Sequence, residues 1–448
     1  MKKSIWIVVR CVAFFLVLFV IVYHVSWHFG VDDPRSYEAE VNYTLEKPQS
    51  LDAVYLGGSD VFEFYQPLFG WSEYGIAVWN YAINSAPVLA IQHYLIEARK
   101  TQPNALFIIS LNPFKRVSSN VNTARIHHSV DYMPLSVNKI QMTNTLTENL
   151  EGTFAEKLEY YLSIIRFHSR WNELYPWIFG TTDKDYKSSS YRGGFLNTVF
   201  DTSNKLILSE KRKSLPEGNY AAFINLLDYC DKNQLKVLFI VSPQCMNQTE
   251  LGHINVLVDT VRSRNYPCLD LLHDYNKLGL DLETDYYDSK HTNIHGSLKY
   301  SHYLGAYLVE NYGFEDKRGQ EQWESWDQSA AVYNKTMSNW ALKFELEHKP
   351  RTDLDAPKLL RSAVKEQSIK IVWEPVEGAD GYDVYRKSRK PWTLIKSYDK
   401  ETVDHTDSKL AASTKYTYTV VAYHMVDGVK QYGRFDVKGI SKTTGGRN

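Results

Sequence analysis

The stretch LDAVYLGGSDVFEFYQP, Leu51 to Pro67, decides how the rest of the chain is read. The apolar run Ala53-Val54-Tyr55-Leu56 stops at Gly57-Gly58-Ser59-Asp60, which reads as a strand entering a tight turn and then a helix. Two glycines allow backbone angles closed to other residues, and the helix that follows aims its first amides at whatever the Ser59 hydroxyl meets. A junction of this kind projects a serine from the end of a sheet.

Working outward, Ala77 to Ala82 reads as a second strand, and a helix runs on to Lys100. ALFIISL (Ala105 to Leu111) and KVLFIVS (Lys236 to Ser242) are unbroken apolar runs, as expected of strands buried on both faces; the amphipathic helix Asn219 to Lys232 precedes the latter. Strands alternating with helices predict an α/β fold with a parallel sheet between layers of helices. Its site lies beyond the carboxyl ends of the strands. Ser59, Asn84, Asn112 and Pro243 all fall at such ends.

More than two hundred residues later, YYDSKHTNIHGSLKYSHYLGAYL places Asp288 and His291 in one loop before a helical stretch from Leu298 to Leu308. That spacing lets the carboxylate fix the imidazole tautomer, which leaves the other ring nitrogen to take a proton from serine. His295 and His302 are nearby alternatives as the base.

A strand-Gly-x-Ser block near the start, with Asp-x-x-His near the end, resembles the SGNH (GDSL-type) hydrolase superfamily, in particular its membrane-anchored branch serving acyl transfer to cell-surface polymers. The resemblance implies a three-layer α/β/α domain with Ser59 as nucleophile, His291 as base and Asp288 as its orienting acid. It also implies an oxyanion hole built from the Ser59 amide, a glycine amide after the second strand and an asparagine after the third. The sequence departs from that pattern. Ala82 or Ser85 stands where the glycine is expected, and Ser110-Leu111-Asn112-Pro113 replaces the Gly-x-Asn-Asp block. Asn84 and Asn112 are the side-chain candidates, each also readable as a turn asparagine.

The 448 residues, 44% hydrophobic and 14% aromatic, exclude a disordered chain and exceed one ordinary domain. A formal net charge of -1 gives no footprint for nucleic acid. Residues 1–30 open with Lys2 and Lys3 and continue as an apolar run broken by Arg10, long enough to cross a bilayer with the remainder extracytoplasmic. A cleaved signal peptide is the rival reading, but no small-x-small site follows the run. Residues 31–48 read as a polar stalk, and residues 49–347 as the catalytic-type domain with a helical insertion over about 115–216. Within the insertion, Trp171, Tyr175 and Trp177 either stack on sugar rings or form its own small core. A helix face follows at Trp326, Ala330, Tyr333, Met337, Trp340 and Phe344. Cys11 lies in the apolar run, so at most one disulfide forms among Cys230, Cys245 and Cys268. No metal or other cofactor is expected.

HKPRTDLDAP marks a linker at 348–356. Beyond it, alternating segments SIKIVW, GYDVYR, Trp392 to Tyr398 and YTYTVVAY predict a β-sandwich over 357–446. Trp373, Pro375, Gly381-Tyr382-x-Val384-Tyr385 and Tyr416 at a tyrosine-corner position make it resemble a fibronectin type III domain. The expected function is a membrane-anchored serine esterase or O-acyltransferase, with acetyl the expected group. Its partners are a cell-surface glycan or teichoic-type polymer, a membrane-bound O-acyltransferase, and the membrane itself through the N-terminal helix. The alternative is a non-catalytic scaffold that binds through the fibronectin-like module.

Overall fold

The four strands read from the sequence become β1 (Ala53–Gly57), β2 (Val78–Ala82), β3 (Leu106–Ser110) and β4 (Val237–Val241), every residue of them buried. That burial explains why β1, β3 and β4 read as near-continuous apolar segments rather than alternating ones, while β2 buries Asn80 at its centre. The computed structural model describes residues 2–27, 29–30, 33–117, 121–169, 191–195, 197, 205–348, 352–365, 367–388, 392–436 and 438–445. A fifth strand, β5 (Cys268–Asp270), completes a sheet of order β2-β1-β3-β4-β5 in which every neighbour pair is parallel. β5 is short and partly exposed, so it leaves no apolar run in the sequence.

The chain divides into two compact units, Met1–Ala330 and Ala331–Asn448. In the first, α1 (Lys2–Trp27) is the apolar N-terminal helix, and Ile5–Ser26 is long and apolar enough to be a membrane span or a signal sequence. The sheet is served by α3 (Ser59–Phe62), α4 (Pro67–Tyr74), α5 (Ile91–Thr101), α10 (Glu217–Asn233), α11 (Gln248–Ser263) and α12 (Ile294–Tyr312). Leu238 and Ile240 of β4 share a cluster with Tyr300 and Leu304 of α12. Phe239 between them meets Phe223 of α10, with ring centroids 6.3 Å apart. Helices thus cover both faces.

The first part of the insertion carries α6 (Thr123–Val130), α7 (Val137–Thr147), α8 (Phe154–Lys157) and α9 (Ile164–Phe167), whereas residues 205–216 carry no helix. Trp171, Tyr175 and Trp177 lie outside the described residues. The expected stalk is corrected. Asp33 caps α2 (Pro34–Glu40), whose first position is proline, and Tyr37, Ala39, Glu40 and Tyr43 are buried. The Tyr43 hydroxyl donates to Ala98 O at 2.8 Å, and Trp79 Nε1 donates to Ala39 O at 3.4 Å. Polar, proline-bearing composition here encodes a capped helix docked on the edge strand.

The last long helix, α13 (Glu324–His348), buries Trp326, Ala330, Tyr333 and Met337 of the apolar stripe; the Trp340 and Phe344 side chains lie outside the described residues. In the second unit, β8 (Leu359–Lys365), β9 (Ser368–Trp373) and β12 (Asp404–Asp407) form one antiparallel sheet of order β12-β9-β8. β10 (Gly381–Lys387), β11 (Thr393–Asp399), β13 (Lys415–Val426) and β14 (Val429–Tyr432) form the other, and β15 (Ile440–Thr443) pairs with β13. Trp373, Tyr382, Tyr418 and Val420 fill the core between them. The Tyr416 hydroxyl accepts the Ala411 N–H at 3.0 Å, which is the tyrosine-corner contact. Two antiparallel sheets of this kind are consistent with a fibronectin type III-like sandwich.

Candidate active site

β1 is flanked by β2 and β3, so the chain leaves it in opposite directions on its two sides. In a doubly wound sheet of order 2-1-3-4-5, the crevice outside this strand is where ligands bind. Gly58 caps the short helix α3, and Ser59 is its first residue. Neither glycine takes a positive φ, so the expectation that special backbone angles require them is corrected. Room is the reason at Gly57, where a Cβ would stand 2.6 Å from Val61 Cγ2 and 3.0 Å from Ser110 Cβ.

The hydroxyl of half-buried Ser59 lies 2.7 Å from His291 Nε2. On the other side of the ring, Nδ1 lies 2.9 Å from Asp288 Oδ2 and 3.0 Å from Oδ1. The Asp288 carboxylate also accepts the Lys290 N–H at 2.7 Å. Burial acts to raise its pKa, but the His291 bond and the Lys290 amide outweigh it and hold the carboxyl below its ordinary value. Asp288 stays ionised and fixes Nδ1 as a donor, which leaves Nε2 to accept the serine proton. His302 is turned away, with Nδ1 2.9 Å from the Tyr74 hydroxyl, while His295 donates its backbone amide to Asn293 in the cap of α12.

The histidine loop is a small hairpin, β6 (Tyr286–Asp288) against β7 (His291–Thr292). Tyr286 donates to Pro243 O at 2.6 Å, Cys245 N–H to Ser289 O at 2.8 Å, and Gln244 Nε2 to Lys290 O at 2.6 Å. The buried Lys115 ammonium, drawn down to about 8 by burial, bonds Gln244 Oε1. The Thr292 hydroxyl donates to Glu63 O at 2.6 Å, which ties the hairpin to the serine turn. Asn293 Oδ1 caps α12 by accepting from His295 and Gly296.

The asparagine candidates have different surroundings. Asn84 is half-buried in the turn after β2, next to Ser85 in the left-handed region at φ 56°. Its neighbour Ile83 donates to Gly57 O at 3.2 Å, which holds this turn beside the serine. Asn112 is buried, and its side chain pairs with the backbone of Ser242, Nδ2 donating to O at 3.1 Å and Oδ1 accepting from N at 3.0 Å. It clamps the ends of β3 and β4 together.

Sequence reasoning passed over two acidic residues beside Ser59. Asp60 is buried, accepts from the Ser110 hydroxyl, and accepts the Gly58 N–H at 3.3 Å. Asp60→Ala leaves both donors unpaired. It is expected to destabilise the first unit by about 2–4 kcal/mol and to lower its thermal midpoint at neutral pH; an unchanged midpoint refutes the anchoring role. Glu63, at the far end of α3, is buried and accepts from the Tyr287 hydroxyl at 3.1 Å, and the Tyr287 ring stacks on His291 with centroids 5.3 Å apart. The only sequence signal for either residue was its nearness to Ser59.

A scan against protein-family models finds no match, and a search of curated proteins also finds none. Among solved structures the chain is similar to a beta-1,2-glucanase from Parabacteroides distasonis, at 22% identity and a TM-score of 0.19 over 22% of this chain and 14% of that one. It is similar to FN3tt mut at 20% identity and TM-score 0.16, over 21% of this chain and 97% of that one. The fn3 domain of human contactin 1 matches at 16% identity and TM-score 0.19, over 22% and 87% of the two chains.

Proposed function

We propose that this protein is a membrane-anchored serine esterase or O-acyltransferase of SGNH-like architecture, acting on O-acetyl groups of a cell-surface polysaccharide or teichoic-type polymer. The observation carrying the reading is the hydrogen-bonded series Ser59 Oγ, His291 Nε2, His291 Nδ1, Asp288 at the carboxyl end of β1. Ser59 Oγ attacks the acyl carbonyl carbon as His291 takes its proton. The tetrahedral oxyanion is met by the Ser59 amide and a donor from the Asn84 turn. Collapse breaks the ester C–O bond, and His291 returns the proton to the departing alkoxide. A sugar hydroxyl or water then attacks the acyl-serine, giving its proton to His291 and restoring Ser59. α1 is retained as the anchor, a membrane-bound O-acyltransferase is the expected acyl supplier, and the fibronectin-like unit binds or spaces the polymer.

The test uses the full chain in detergent micelles. Expected are covalent fluorophosphonate labelling of Ser59, located by mass spectrometry, and turnover of a chromogenic acetyl ester. Labelled acetyl recovered on an added glycan marks transfer, and labelled acetate alone marks hydrolysis. A chain that neither labels nor turns over is a binding scaffold, and the enzymatic reading falls.

A further inference from the structure

We infer that the α/β unit is seated on the bilayer itself, through an apolar patch formed by Leu135, Val137 and Ile140 at the start of α7 and by Ile165 on α9. The inference rests on the reading of α1 as a retained anchor. α1 is exposed at every position from Ile5 to Ile21; beyond them Val22, Tyr23 and Val25 are half-buried and Ser26 is buried, while His24 stays exposed. Ser163 Oγ donates to Ser26 O at 2.8 Å, and the Ile164 N–H donates to Ser26 Oγ at 3.1 Å. The Tyr23 hydroxyl is turned to the backbone of Leu135, and the Tyr23 ring lies 5.7 Å from Lys139 Nζ. The insertion therefore grips the last turns of the anchor directly.

Helix length then fixes how deep that grip lies. At 1.5 Å per residue, Ile5 to Ile21 spans only about 25 Å, whereas a hydrocarbon core is about 30 Å thick. Lys2 and Lys3 hold the start of the helix at the cytoplasmic surface, and Arg10, drawing its guanidinium toward that surface, moves the start further along the helix. The missing length must come from Val22 to Ser26, the segment the insertion grips, so the grip lies at the outer hydrocarbon boundary.

Exposed apolar side chains lie beside it. Val137 is 72% exposed, Leu135 44%, Ile165 44% and Ile140 42%. Side chains of this type beside a helix entering lipid are covered favourably by the interface and unfavourably by water. The occupant is lipid, and residues 33–40, which lead from the anchor toward the serine turn, pass close to that turn. Arg35 shows that closeness, its guanidinium lying 5.6 Å from the ring centroid of Phe62, three residues beyond Ser59.

The experiment reconstitutes the full chain, its native cysteines replaced, into phosphatidylcholine vesicles. A nitrobenzoxadiazole label is placed in turn at Leu16→Cys, Val137→Cys and the exposed polar position Asn311→Cys, and brominated lipids serve as quenchers. Expected are strong quenching at 16, quenching at 137 that is greatest with bromines near the headgroup, and none at 311. Quenching at 16 with 137 as unquenched as 311 overturns the seating and leaves the anchor standing. No quenching at any of the three overturns the anchor and the seating with it. A blue-shifted emission at 137 without quenching assigns the patch to a second copy of the chain and also overturns the proposal.

Discussion

Ser59→Ala in the full chain is expected to lose fluorophosphonate labelling entirely and ester turnover by a factor of about 10⁶, with His291→Ala close behind, because nucleophile and base act as one unit. The double variant is then expected to be no worse than either single one. Asp288→Asn should cost less than the roughly 10⁴-fold loss seen at a buried triad aspartate. The reason is exposure. The Asp288 side chain is 44% accessible, so water screens its charge and can partly replace it as acceptor for Nδ1. A steady-state comparison of the four variants checks this ordering. If His291→Ala turns over as the wild type does, the 2.7 Å contact to Ser59 is an ordinary surface hydrogen bond and the proposed chemistry is lost.

The same contrast between strongly and weakly encoded features runs through the whole molecule. Buried parallel strands must be apolar on both faces, so β1 to β4 are visible in the sequence as runs, and the ends of those runs locate the site. β5 has a single buried residue, the polar Asp270, and left no such trace. Ser59, Asp288 and His291 were legible because the proposed chemistry restricts residue type and the hairpin restricts the spacing of two of them. Asn112 read as an oxyanion donor or a turn asparagine, and its role clamping β3 to β4 left no trace, since its partner Ser242 lies 130 positions away and contributes only backbone atoms. Residues 33–48 show the opposite failure. Their polarity reads as solvated, yet Tyr37, Glu40 and Tyr43 are buried, and composition alone does not distinguish a docked capped helix from a stalk.

Glu63 gives the largest expected effect on stability, and the sign follows from its surroundings. Burial raises its carboxyl pKa from 4.5 to about 8; the Tyr287 hydroxyl and, more weakly, Arg35 act to lower it and do not compensate. Below pH 4.5 the carboxyl is protonated in both folded and unfolded chains, so its stabilising contribution is fully present there. As pH rises the unfolded chain ionises first, the folded state alone retains the proton, and the contribution is lost until the folded group also ionises near pH 8. Three and a half pH units at about 1.4 kcal/mol each give a loss of about 5 kcal/mol at most. Glu63→Gln cannot ionise but still accepts from the Tyr287 hydroxyl. It is expected to match the wild type at pH 4.5 and to unfold several degrees higher at pH 8.5. Thermal melts of the two chains across that range measure the difference. A constant gap would show that Glu63 does not titrate there, and a variant less stable at pH 8.5 would show that the ionised carboxylate is stabilised by a partner and that its burial is not the controlling factor.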